Sequence, residues 1–152
     1  MSYQTKKQLR VIAALFLAAI AAGPAWGATT TCTVSTSSVN FGVYNARSGA
    51  ALDGVGSITI SCNQPPSATL LIGSGGSPTF YQRRMASGAN ILEYNLFIQS
   101  ARTGVWGEGG ASGTFTVPIT ASGTYTVYGR VFGGQKVPVG SYGDTLVVTL
   151  MY

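Results

Sequence analysis

The sequence predicts an all-β fold, an immunoglobulin-like antiparallel β-sandwich carrying one disulfide. Three observations lead there. Apolar residues fall in short runs with a period of two, and Gly, Ser, Pro or Asn bounds each run. No segment after the first 27 residues sustains a helical period over three turns. Side chains in a strand alternate between faces, so each run buries one side and offers the other to water.

The first 27 residues stand apart from that pattern. Lys6, Lys7 and Arg10 precede an uninterrupted apolar run over 11–22, followed by Pro24. Ala25 and Gly27 then set small residues at the −3 and −1 positions of a cleavage site. This is the layout of a Sec signal peptide, which leaves a mature, exported domain at 28–152. The apolar run of 11–22 falls short of the roughly 20 residues that span a bilayer, so no stable membrane insertion of the mature chain is expected.

The strands follow in order. Residues 31–44 carry Val34, Val39 and Phe41, residues 55–62 alternate around Ile58 and Ile60, and 68–72 is an apolar run with one threonine. Residues 91–99 set Leu92, Tyr94, Leu96 and Ile98 on one side, and 113–119, 124–132 and 142–152 bring the total to seven. The glycine-rich stretches 73–77 and 104–113 read as connections, because strands flank both closely. Seven short antiparallel strands in about 125 residues fit a two-layer sandwich around one core.

The last run puts Leu146, Val148, Leu150 and Tyr152 on one face. An apolar edge of that length invites another chain to pair with it, so either an internal strand covers it or a partner does. Between strands, Asp53-Gly54 reads as a turn, and 81–85 as a polar turn with Met85 packed inward. Asp144 is expected to bond turn backbone, and Arg130 to face solvent with Glu93 or Asp144 as partner.

Cys32 and Cys62 are the only cysteines, and in an exported chain a disulfide is their default state. Closing a loop of about thirty residues contributes roughly 3–4 kcal/mol in the loop-entropy account. Zinc is disfavoured, since two sulfurs in a chain without histidine cannot complete a tetrahedral site.

Composition excludes other functions. After the leader, Arg47, Arg83, Arg84, Arg102, Arg130 and Lys136 face Asp53, Glu93, Glu108 and Asp144, a net charge near +2 with no basic stripe for nucleic acid. With no histidine, paired cysteines and four scattered carboxylates, the chain does not read as an enzyme. The glycines of 104–113 lack the Gly-Lys-Ser/Thr and the following helix of a phosphate loop, and nothing points to a cofactor.

Six strings, taken in order, resemble the spore coat protein U domain, the family that also supplies subunits of archaic chaperone–usher pili. They are Cys32-Thr33-Val34 with Val39-Asn40-Phe41-Gly42-Val43-Tyr44; Ile58-Thr59-Ile60-Ser61-Cys62; Arg84-Met85 with Leu92-Glu93-Tyr94-Asn95-Leu96-Phe97; Trp106-Gly107-Glu108-Gly109; Val127-Tyr128-Gly129-Arg130; and Gly140-Ser141-Tyr142-Gly143-Asp144-Thr145. The resemblance covers 32–152. It implies a sandwich missing its final strand, which a periplasmic chaperone lends, an outer-membrane usher hands on and a neighbouring pilus subunit replaces.

By that analogy the donor-strand groove lies between Val34, Val39 and Phe41 of the first strand and Leu146, Val148, Leu150 and Tyr152 of the last. Filling four or five such pockets is worth on the order of 6–15 kcal/mol before ordering costs. Tyr142 and Asp144 would fix the start of the last strand. One feature departs from the pattern: only residues 28–31 precede Cys32, reaching roughly 13 Å, so the mature chain is expected to accept a strand rather than give one.

Two rival readings remain open at this point. A self-complete adhesin or carbohydrate-binding domain would use Trp106 and its loop as a surface contact, although a lone Trp beside a sandwich more often folds onto the core. A secreted hydrolase would need Glu93, Glu108 or Asp144 to converge in space.

Overall fold

The computed structural model describes residues 29–152, and the expected leader at 1–27 lies outside them. The alternating runs become β1 (Cys32–Asn40), β2 (Leu52–Cys62), β3 (Ala68–Ile72), β4 (Arg83–Ser87), β5 (Asn90–Phe97), β6 (Val117–Ile119), β7 (Gly123–Val131) and β8 (Val148–Met151). A five-stranded sheet in the order β1-β2-β7-β5-β4 packs on a three-stranded sheet in the order β6-β3-β8, and every pairing is antiparallel. The fold is the immunoglobulin-like sandwich that the alternation predicts.

The core lies where the inner faces meet. Ile58 and Ile60 of β2, Val127 and Val131 of β7, and Leu92, Tyr94 and Leu96 of β5 pack towards Leu70 and Ile72 of β3 and Ile119 of β6. Cys32 and Cys62 stand directly opposite one another in the β1–β2 ladder and are joined by the expected disulfide, with Cα atoms 4.1 Å apart. The bond ties the outermost strand of the large sheet to its neighbour.

Four expectations need correction. The segment 81–85 is no turn: Arg83 begins β4, an eighth strand, with Arg83 and Met85 both facing inward. Arg83 is fully buried, and its guanidinium donates to Asn95 Oδ1 at 2.7 Å, Trp106 O at 2.6 Å, Ile72 O at 3.2 Å and Gly73 O at 2.9 Å. Those acceptors satisfy a charge that burial alone would make costly.

Asp53 is likewise inside β2 rather than in a turn, directly across from Arg130 of β7. Arg130 binds Asp53 through two parallel bonds of 2.7 and 2.9 Å, so its partner is neither Glu93 nor Asp144. The final strand is shorter than 142–152, because the chain changes sheets before β8 begins. Gly143 pairs with Ala86 at the edge of the large sheet, and by Val147 the backbone is bonded to Gly73 beside the small one.

Candidate functional site

The two sheets do not close on one another along one side. Among the described residues, β8 pairs only with β3, and β1 only with β2, so each sheet ends in a free edge. Between these edges lies a groove of about 1200 Å³. One lip is formed by 36–47 and the other by 137–148. Its floor is the apolar core itself: Ile58, Val127 and Val131, then Leu92, Tyr94 and Leu96, with Met85 and Ile72 at the far side.

A β-bulge shapes the first lip. Up to Ser37 the even positions of β1 face inward, with Val34 opposite Ile60 and Thr36 opposite Ile58. The register then shifts between Ser37 and Asn40, and the odd residues Val39 and Phe41 turn inward instead. Phe41 meets the Tyr94 ring edge-on, with centroids 5.8 Å apart. Val34 and Phe41 differ in parity, so only the bulge lets both point towards the interior.

The second lip is held by side chains. Asp144 sits where the chain crosses between sheets: Oδ2 accepts the Tyr94 hydroxyl at 2.8 Å, and Oδ1 accepts the N–H of Gly76 at 3.2 Å and of Thr145 at 2.8 Å. Burial, then the bond to Asp144, pushes the Tyr94 hydroxyl well above the usual phenol range, so it stays a donor. Gly75 has φ 66°, and a Cβ there would run into the Asp144 carboxylate. The Tyr142 hydroxyl donates to Pro138 O at 2.9 Å and closes the corner that leads into this crossing.

Gln135 joins the lips. Its side-chain amide donates to Glu93 O at 2.8 Å and accepts the Glu93 N–H at 2.7 Å, as a neighbouring strand would. Its own N–H donates to the Tyr44 hydroxyl at 2.9 Å, bridging the 36–47 side to the 137–148 side at one end.

The sequence matches the Spore Coat Protein U domain over residues 19–149. The chain belongs to this family. Protein U of Myxococcus xanthus is 30% identical over 127 residues, which is 75% of this chain and 71% of that protein. Among solved structures, the CsuC–CsuE chaperone–tip adhesion subunit pre-assembly complex of the archaic chaperone-usher Csu pili of Acinetobacter baumannii aligns with a TM-score of 0.56 and 25% identity. That alignment covers 82% of this chain, and the chain spans 40% of that structure's chain.

In this chain the expected groove residues separate. Val39, Phe41, Leu146 and Val148 line the opening, whereas Val34, Leu150 and Tyr152 do not. Leu150 packs on the core beside β3, Val34 is half-exposed beyond the mouth, and Tyr152 is exposed past the end of β8. Tyr44, Met85, Leu92, Tyr94, Val131, Val137 and Tyr142 line it as well, and the sequence reading placed none of them there. Alternation marked several of them as inward-facing, but which part of an inner face stays uncovered depends on strand order.

Trp106 is not a surface contact. It is 1% exposed, and its indole N–H donates to Leu70 O at 3.2 Å. Its backbone is pinned between Leu96 and Arg83, so the glycine-rich loop folds back onto the core. The chain thus loses the feature that favoured a sugar-binding reading.

Proposed function

We propose that this chain is an exported structural subunit of a chaperone–usher pilus or surface coat, and that its groove accepts a β-strand lent by another molecule. A periplasmic chaperone supplies that strand first, an outer-membrane usher passes the subunit on, and a neighbouring subunit's segment replaces the chaperone's. The observation that carries this reading is the pair of free edges, β8 and β1, flanking a groove whose floor is the hydrophobic core. An extended segment laid there would gain backbone bonds from an edge and set alternate side chains into the floor. Such bonds are sequence-tolerant, and apolar burial beneath them supplies most of the affinity. The similar solved structure is itself a chaperone–subunit pre-assembly complex, which agrees with this order of events.

The test is co-expression of the full chain with a periplasmic chaperone of the archaic chaperone–usher class. The expected product is a one-to-one complex that survives size-exclusion chromatography. Recovery of both proteins in separate peaks, each folded, would contradict the proposal.

A further inference from the structure

Three glycines face inward on the two central strands beneath the groove. Gly54 of β2 lies directly opposite Gly129 of β7, and Gly56 is two residues further along β2 on the same face. None of the three has a positive φ, so backbone conformation does not demand glycine at these positions. Glycine weakens a strand interior and there marks a close approach by something else. Here the approaching group is the bulged end of β1. A Cβ on Gly54 would stand 2.7 Å from Asn40 O, and one on Gly56 would stand 2.9 Å from Ser37 O. Those two are fixed by the path of the chain.

Gly129 differs, because the three atoms nearest such a Cβ all belong to side chains. A Cβ there would stand 2.7 Å from Cε1 and Cζ of Phe41 and from Cγ1 of Val39. Both residues line the groove, so they lie between the glycine and the open space. We propose that Gly129 is a specificity-determining residue: it lets the Phe41 ring lie flat on the sheet, and so sets the groove deep enough beside Tyr94 for a large apolar side chain of the incoming strand. This rests on the reading that the groove accepts a strand. A methyl group at position 129 lifts Phe41 into that space, whereas a smaller residue at 41 deepens it.

The chaperone-bound full chain is mixed with a fluorescein-labelled decapeptide in which leucine alternates with lysine, and uptake is read by anisotropy. Gly129→Ala is expected to take up this peptide about tenfold more weakly than wild type, the scale of a misfit of one methyl group. Adding Phe41→Leu and Val39→Ala to Gly129→Ala is expected to restore uptake to within about threefold of wild type, since together they remove both side chains that the new methyl group meets. Phe41→Leu alone is expected to shift preference towards a peptide with phenylalanine in place of one central leucine. Equal uptake by Gly129→Ala and wild type overturns the proposal. So does a loss that Phe41→Leu with Val39→Ala fails to restore while the chaperone complex and the Cys32–Cys62 bond persist. If Gly129→Ala does not fold, the Phe41→Leu preference decides, and an unchanged preference overturns the proposal. A wild-type chain that forms no chaperone complex removes the donor-strand reading and this inference with it, whereas an intact complex with indifferent variants removes this inference alone.

Discussion

Arg83 and Arg84 are adjacent in the chain and face opposite ways on β4. The first is fully buried among carbonyl oxygens and Asn95, and burial pushes its guanidinium below the ordinary arginine value. The second reaches Glu93 only at 3.8 Å on the partly exposed face. Arg83→Met strands acceptors from Ile72, Gly73 and Trp106, and each bond to a charged donor is worth about 1.5–3 kcal/mol. A loss of at least about 3 kcal/mol is expected in urea unfolding of the chaperone-bound chain, against less than about 1 kcal/mol for Arg84→Met. Similar midpoints for both variants would contradict the assigned roles. The Asp53 carboxyl, held by Arg130, then Arg102, lies below the usual carboxylate value. A lowered folded-state pKa gives stability that is fully present above about pH 4 and is lost as pH falls through the lowered value. Because the pair is exposed, the effect is worth at most about 1 kcal/mol. Asp53→Asn should therefore lower the midpoint slightly at pH 7 and flatten its acid dependence. An unchanged acid limb would contradict the pairing.

At the scale of elements, two devices hold the open groove in shape. The disulfide anchors β1 to β2 at one end, and Asp144 ties the crossing segment to Tyr94 and Gly76 at the other. Replacing both Cys32 and Cys62 by serine should cost roughly 3–4 kcal/mol and speed amide exchange along β1 before β5 or β7 is affected. Uniform acceleration through the large sheet would contradict a local role. Asp144→Ala leaves the Tyr94 hydroxyl and the Gly76 N–H without their acceptor, and is expected to cost about 2 kcal/mol in the same unfolding assay. The disulfide, the inward set Leu92–Tyr94–Leu96 and the bonding of Asp144 to turn backbone were legible in the sequence, because period, compartment and short-range turn chemistry are local properties. β4 was not, since Arg-Arg reads as a solvated turn until the carbonyls that receive Arg83 are known. Met85 was the available clue: a residue two positions before an inward side chain shares its face. The bulge after Ser37 and the change of sheet after Gly143 were hidden for a different reason. Both follow from pairing between distant segments, which alternation along one strand does not encode.

At the scale of the whole molecule, the sandwich leaves a largely apolar groove between its sheets, while the core residues at its floor stay buried beneath the two lips. A groove with apolar walls between two unpaired strand edges is the form that a strand-binding site takes. In this chain Ile58, Ile72, Leu92, Leu96, Val127 and Val131 all line one groove of about 1200 Å³ between two free edges. Membership of the Spore Coat Protein U domain family and likeness to a chaperone-bound pilus subunit fit a fold completed from outside. The measurement that tests this most directly is export of the full chain to the periplasm without a chaperone, followed by chromatography and urea unfolding of whatever remains soluble. The expected result is degradation or aggregates with no discrete monomer. A monodisperse monomer that unfolds in a single cooperative transition would contradict the account.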